Sequence, residues 1–359
     1  MGYEVDFMQV GQESKGGDAI ALRWGDLRSN DKPNSEQFVA VIDGGYEKSG
    51  EDLAELINTY YHTDTIDLVV STHPDADHIG GLSHILDEFI VKKLWIHKPW
   101  EHNKGIASKF QDGRVTDNSI SNRLRDLCEA AWKLCQKAKE KNIKIEEPFF
   151  CKDTPIQYSC YGGVLKVLGP SQDYYETLLP DFDGTVSQSP AQNTFAKNRE
   201  MIWGEDAIDD KGETSAKNNS STILEFRYKG HKILFTADAG IPAFRRASGN
   251  VKNIDGELRM IQIPHHGSWR NVSPDVLDNM IGFIDKSNNS NITVTAVVSC
   301  AEDHDHKHPN KRVLNAFIHR GCTCYKVRKG NFYYYFGVPI RPEYSMPKAC
   351  EYAYTKEEE

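Results

Sequence analysis

Residues 71–81 read STHPDADHIGG, and the six from His73 to His78 include two histidines and two aspartates. Imidazole and carboxylate together suit a divalent cation, with carboxylate leaning toward Mn²⁺ and imidazole keeping Zn²⁺ in play. The stretch follows the apolar run IDLVV (66–70) and precedes a glycine pair. A loop at the end of a strand can gather such side chains on one point while the strand keeps its ladder. Three further apolar runs end alike. ILFTAD closes on Asp238, MIQIP is followed by His265 and His266, and VVSCAED by His304, His306 and His308. These four places hold seven of the chain's 13 histidines, more than surface scatter would put there. Taken singly, each residue has a plain structural account. An aspartate after a strand is often a turn or helix-cap residue, a lone histidine is often hydrogen-bonded in its loop, and HDHKHP (304–309) reads as a solvated loop. Together they point to a metal centre that activates water.

Several elements must position these residues. VDFMQV (5–10) and DAIALRW (18–24) read as strands around a polar turn, and QFVAVIDGG (37–45) as a third. EDLAELINTYY (51–61) has helical spacing, with apolar residues at 53, 56, 57 and 60. The strand over 66–72 delivers the metal-binding stretch. A helix starts just past it, with Gly80 and Gly81 allowing a tight turn, and VKKLWIH (91–97) returns as a strand. Residues 120–142 predict one amphipathic helix, with Leu124, Leu127, Cys128, Ala131 and Cys135 on one face. GVLKVLGP (163–170) is a strand stopped by Gly-Pro. Residues 171–220 are polar and weakly patterned and read as a long insertion or loop. STILEFRYKGHKILFTADAG (221–240) and CTCYKVRKGNFYYYFG (322–337) each predict a hairpin. Two β-rich halves with helices outside predict an α/β, four-layer αββα sandwich.

Composition limits the reading further. The 359 residues carry a net charge of −9, whereas a general nucleic-acid binder is usually basic. The first residues do not pattern as a signal peptide, and no run reaches about 18 apolar residues. A cytoplasmic protein without membrane contact is therefore expected. The eight cysteines form no C-x-x-C pair, so reduced thiols are expected in place of a thiolate zinc site.

The motifs resemble the metallo-β-lactamase superfamily, and more closely the hydrolase domain of the ComEC-like (competence) branch. VIDGG, STHPDADHIGGL, NNSSTILEF, FTADAG, PHHGSWRN and HKHPNKRVL follow in that family's order. The resemblance implies one hydrolase domain over 1–350, with a helical insertion at about 97–150, a loop insertion at about 171–217, and a tail at 351–359. It implies metal ligands among His73, Asp75, Asp77, His78, Asp238, His265 and His266. The candidate catalytic residues are Asp75, Asp77, His266, His306 and His308. The last two match the branch's H-x-H-P element, and would contact a phosphate oxygen or protonate the leaving group. Two positions depart from the superfamily pattern. Asp75 stands where a second histidine is usual, and no histidine follows the strand at 163–170. Both departures deplete a first metal site, built on His73 and Asp75. They leave a second intact, with Asp77, His78, a bridging Asp238 and one histidine of the 265–266 pair. The expected cofactor is one or two divalent ions, Zn or Mn. The expected substrate is a phosphodiester, with DNA or a nucleotide as candidates. The alternatives are hydrolysis of another ester, such as a phosphocholine ester or a lactone, and an inactive binding or regulatory module.

Overall fold

The computed structural model describes residues 1–11, 16–27, 36–104, 116–184, 201–251, 257–285, 294–301 and 308–354. In chain order the strands are β1 (Gly2–Phe7), β2 (Ala19–Gly25), β3 (Gln37–Gly44), β4 (Thr65–Ile66), β5 (Leu68–Val70), β6 (Ile90–Val91), β7 (Lys93–Trp95) and β8 (Lys144–Glu146). They continue as β9 (Gln157–Cys160), β10 (Gly163–Gly169), β11 (Ile223–Tyr228), β12 (His231–Phe235), β13 (Glu257–Gln262), β14 (Val294–Ser299), β15 (Cys322–Val327) and β16 (Phe332–Phe336). One seven-stranded sheet runs β16-β1-β2-β3-β5-β7-β8, and a second runs β15-β14-β13-β12-β11-β10-β9. A two-stranded ribbon pairs β4 with β6.

The strand patterns explain the layers. Ile20, Leu22 and Trp24 of β2 and Phe38, Ala40 and Ile42 of β3 face the second sheet, where they meet Leu224, Phe226 and Phe235. The alternate residues Ala19, Ala21, Val39 and Val41 face the helices on the outside. Strands covered on both faces are apolar on both, and β2 and β3 are so apart from Arg23, Gln37 and Asp43. A third cluster, including Ile261, Ala296, Val298, Leu314 and Phe317, packs helices on the outer face of the second sheet. Three cores separate four layers, so the fold is the expected αββα sandwich.

Strand direction matters most for the site. β3, β5, β7 and β8 run parallel in the first sheet. β12, β13, β14 and β15 run parallel in the second. In parallel α/β sheets the loops at the carboxyl ends of the strands gather on one edge, where ligands bind. The ends of β5, β12, β13 and β14 carry the residues singled out above, and the end of β3 adds Asp43 beside them.

Several local expectations are corrected. Residues 120–142 form two helices, Asp117–Leu127 and Glu129–Glu140, because Cys128 leaves helical geometry at φ −124° and ψ 39°. The stretch 322–337 is not a hairpin. β15 pairs in parallel with β14, whereas β16 crosses to the other sheet and pairs antiparallel with β1. Alternation alone marks a strand and leaves its partner open. Part of 171–220 is ordered and packed, with helices Gln172–Leu178 and Ala216–Asn219 and buried Tyr174, Tyr175, Leu179 and Phe182. Residues 185–200 of that insertion lie outside the described residues. The tail is docked as far as Ala353, which exchanges two hydrogen bonds with Asn315 (2.8 and 2.9 Å); 355–359 lie outside the described residues. Gly80 and Gly81 have ordinary helical φ values of −54° and −77°. Their role is close approach: a Cβ on Gly81 would lie 2.2 Å from the Gly44 carbonyl oxygen. No described helix is long and apolar enough to cross a membrane.

Candidate metal centre

His73 follows β5, and its ring is buried. Thr72 Oγ1 donates to Asp43 Oδ2 (2.6 Å), so its lone pair is left to accept from His73 Nδ1 (3.1 Å). That fixes the proton on Nδ1 and turns a bare Nε2 inward. His78 lies in the short helix Ala76–Ile79 that begins after Asp75. Its Nδ1 donates to the Asp43 carboxylate at 2.8 Å, again leaving Nε2 inward. His266 repeats the device from the second sheet, with Nδ1 donating to the Ser299 carbonyl at 3.1 Å. Each of these three imidazoles is held by a carboxylate, carbonyl or hydroxyl behind it, the usual arrangement for a metal-binding histidine.

The inward atoms converge. His78 Nε2 lies 3.4 Å from Asp238 Oδ1 and 3.9 Å from Asp77 Oδ2. His266 Nε2 lies 3.6 Å from Asp77 Oδ2. His73 Nε2 lies 3.8 Å from both Asp75 Oδ2 and Asp238 Oδ2. His265 Nε2 lies 3.6 Å from the same Asp238 oxygen, while Asn271 and Asn218 contact its ring from the side. The two oxygens of Asp238 thus face different histidines. The side-chain atoms of Asp77, His78 and His266 that could hold an ion lie within 4.8 Å of one another, as do those of Asp18, His78 and Asp238 and those of Asp43, His73 and His78.

His73 Nε2, His78 Nε2, His266 Nε2 and Asp238 Oδ1 are all buried with no hydrogen-bond partner. Buried polar atoms in folded proteins are nearly always paired. Four orphans gathered around Asp238 and Asp77 fit a bound divalent cation, and the N and O donor set suits Zn²⁺ or Mn²⁺.

The electrostatics agree. Burial opposes charge on Asp77, but the close approach of His266 and the charges of His78 and His266 outweigh that and hold it at about 2. Burial likewise opposes charge on His266, yet Asp238 and Asp77 raise it to about 9. His78 is raised for the same reason, against its own burial, chiefly by Asp238 and Asp43. His73 is lowered by burial and by the neighbouring His78. Carboxylates that favour positive charge on two imidazoles favour a divalent cation in the same place.

Backbone strain gathers here too. Asp43, Ala237, His265 and His266 all have positive φ, between 44° and 57°. Such conformations cost energy and concentrate at functional sites.

The structure brings His73, Asp75, Asp77, His78, Asp238, His265 and His266 to one edge. His266 stands with Asp77, and His265 with the other oxygen of Asp238. His308 is at the same edge, its ring stacked 6.2 Å from that of His265. His304 and His306 lie outside the described residues. Pro170, in a cis bond with Gly169, and Ser171 follow β10 where a histidine is usual in the superfamily. Three positioning residues went unnoticed in the sequence: Asp43, Asp18 and Gln262. Gln262 bonds the Thr236 and Ala237 amides with its oxygen and Asp18 with its nitrogen, tying the two sheets together beneath the site. An aspartate closing an apolar strand before a glycine pair, as in VIDGG, was the available signal for Asp43.

The model of the metallo-beta-lactamase superfamily matches residues 34–129, which include β3 and the whole His73–His78 stretch. The match supports that superfamily for this chain. No curated protein matches it. Among solved structures it is similar to Tm1679, described as a metal-dependent hydrolase of the beta-lactamase superfamily. Identity is 12%, coverage 94% of this chain and 100% of that one, and the TM-score 0.44. It is also similar to Zn(2+)-bound PqqB from Methylobacterium extorquens, with 9% identity, 91% and 99% coverage and a TM-score of 0.40. A diphosphatase from the PhnP family shows 10% identity, 93% and 99% coverage and a TM-score of 0.39.

Proposed function

We propose that the protein is a metal-dependent hydrolase that cleaves a phosphodiester. The carrying observation is the convergence of three orphaned imidazole nitrogens and an orphaned carboxylate oxygen at the ends of parallel strands. Asp77, His78, His266 and Asp238 would hold the tighter ion. His73 and Asp75 would contribute to a second, with Asp238 Oδ2 facing it. An ion bound there supplies Lewis acidity, polarising the scissile group and lowering the pKa of water at neutral pH.

The chain's own residues do the rest. Asp43, Thr72 and Ser299 keep the three ligand nitrogens bare and aimed. Asp75 is partly exposed and lies at the edge of the cluster, where it can accept a proton from an attacking water. His308, beside His265, is placed to contact a phosphate oxygen or to protonate the leaving group, a role it would share with His306. Tyr46, whose hydroxyl is raised by burial and by the charge of Asp77, also lines a groove of about 620 Å³ with Lys48 and Tyr60. The motif order of the ComEC-like branch favours a nucleic acid or nucleotide diester over other esters, and the eight free cysteines favour a cytoplasmic setting.

Metal content and turnover of bis-p-nitrophenyl phosphate test the proposal directly. Asp77→Ala should lose most bound metal and all hydrolysis while its circular dichroism stays that of the wild type. Loss of a group that merely supports a ligand costs ~10–100-fold, so loss of a ligand should cost at least as much. Wild-type metal and turnover in this variant would refute the assignment. Turnover of a lactone or phosphocholine ester in place of the diester would move the substrate class.

A further inference from the structure

One lysine stands at the rim of the metal centre, beside Asp75. Lys217 lies on the short helix Ala216–Asn219, which Ser215 caps by accepting from the Asn218 amide at 3.0 Å. The next residue, Asn218, donates from its side chain to Asp238 Oδ2 at 3.3 Å. Adjacent residues thus reach two different carboxylates of the cluster, because Lys217 Nζ stands 4.0 Å from Asp75 Oδ1.

The ammonium is held from behind. It donates to the Leu127 carbonyl at 3.0 Å. Leu127 is the last residue of the helix Asp117–Leu127, immediately before the break at Cys128. Carbonyls at a helix C-terminus carry partial negative charge and favour a cation. One of the three ammonium donors is therefore anchored, and the 4.0 Å to Asp75 is beyond hydrogen-bonding distance. The side chain is 23% exposed, so a ligand can reach it.

Charge shows what this arrangement is for. Asp18, Asp43, Asp75, Asp77 and Asp238 converge on the site, and an anionic substrate must approach them. His73 and Asp75 form the side of the site that lacks a histidine after β10, and Lys217 is on that side.

We propose that the Lys217 ammonium is an anion subsite that binds a non-bridging oxygen of a phosphoryl group. It supplies beside Asp75 the fixed positive charge that the depleted side of the metal centre lacks. The inference rests on the phosphodiesterase reading and narrows it: the substrate presents a charged phosphoryl oxygen at Asp75. An ammonium on an anchored stem is a compact point charge suited to this task.

The probe is inorganic phosphate, bound to the metal-loaded full-length protein and followed by calorimetry, alongside steady-state kinetics on bis-p-nitrophenyl phosphate. Lys217→Met should keep the wild-type metal stoichiometry, weaken phosphate about 10- to 100-fold, the scale of one charge-assisted hydrogen bond, and raise KM. Lys217→Arg should recover much of the phosphate affinity. Unchanged phosphate affinity in Lys217→Met overturns the proposal, and so does loss of metal in step with loss of phosphate. If Lys217→Met fails to fold, Lys217→Gln, which can still donate to the Leu127 carbonyl, carries the same comparison. A wild-type protein that binds phosphate through Lys217 yet leaves the diester intact would refute the phosphodiesterase reading alone. One that cleaves the diester with no dependence on Lys217 would refute the subsite alone.

Discussion

Asp43 never ranked as a site residue in the sequence, and its replacement by asparagine is the sharpest probe of how the centre is built. The carboxylate is buried and accepts three bonds: Oδ1 from the Thr72 amide at 2.8 Å, and Oδ2 from the Thr72 hydroxyl at 2.6 Å and from His78 Nδ1 at 2.8 Å. The residue has φ 57°, a left-handed conformation that asparagine tolerates well, so Asp43→Asn changes chemistry with little backbone cost. Asparagine has one acceptor oxygen where aspartate has two. Keeping that oxygen on the Thr72 amide turns the NH₂ group toward His78 Nδ1, which must then accept. The His78 proton moves to Nε2, the nitrogen that faces Asp238, and the lone pair that would bind a cation is lost. Groups behind a ligand typically control ~10–100-fold of metal affinity, or about 1.4–2.8 kcal/mol. The metal-free fold should weaken as well, by about 1–3 kcal/mol for a buried bond left unsatisfied. Titration against a competing chelator reads the first effect, and thermal melting of the metal-free protein reads the second. A variant that melts earlier but binds metal as tightly as the wild type would show that Asp43 only braces the loop.

Other outcomes follow from the same geometry. Wild-type turnover should be greater with Mn²⁺ than with Zn²⁺, and Asp75→His, which restores the superfamily's imidazole, should move the preference toward Zn²⁺; a wild type already best with zinc would refute the argument from Asp75. His308→Ala should keep its metal and lose about 10²–10⁴-fold in kcat on a diester with a poor leaving group, and lose less with p-nitrophenolate; equal losses would assign the ring to phosphate binding. Far from the site, burial opposes charge on Asp206, but paired bonds from Arg320 (2.7 and 2.8 Å) and one from His319 outweigh it and hold the group at about 2. Because its folded value is depressed, its stabilisation, about 2 kcal/mol, is complete above the unfolded value near 4 and is lost as pH falls toward 2. Acid titration of the melting temperature should therefore be shallower in Asp206→Asn than in the wild type.

The layered fold was legible because its physics is local. Short apolar runs bounded by turn residues, such as DAIALRW and QFVAVIDGG, announce strands, and their near-lack of polar alternation announces that both faces are covered. What failed was pairing. The run FYYYF at 332–336 has the same pattern whether it turns back on β15 or crosses to β1. The choice depends on filling the space beside Tyr3 and Phe7, a non-local condition. The break at Cys128 was hidden for a similar reason. Its apolar spacing continues through the break, since Leu124, Cys128, Ala131 and Cys135 all reach the same core. Only the backbone at 128 changes, and with it the carbonyl of Leu127 becomes available to Lys217.

The site divides along the same line. Residues that would touch an ion were readable, because imidazole and carboxylate at strand ends have few other uses in such numbers. Residues that aim them were not, since a buried aspartate, a threonine and a serine carbonyl look ordinary in sequence. The pair His265-His266 shows the limit most clearly. Either residue could follow β13 into the cluster, and spacing gave no preference. The structure gives both positive φ, which turns the two rings to opposite sides of Asp238. His266 Nε2 reaches Asp77 at 3.6 Å, and His265 Nε2 reaches the outer oxygen of Asp238 at the same distance. The strained turn thus sets consecutive histidines on opposite sides of Asp238, with His266 beside Asp77 and His265 held by Asn218 and Asn271.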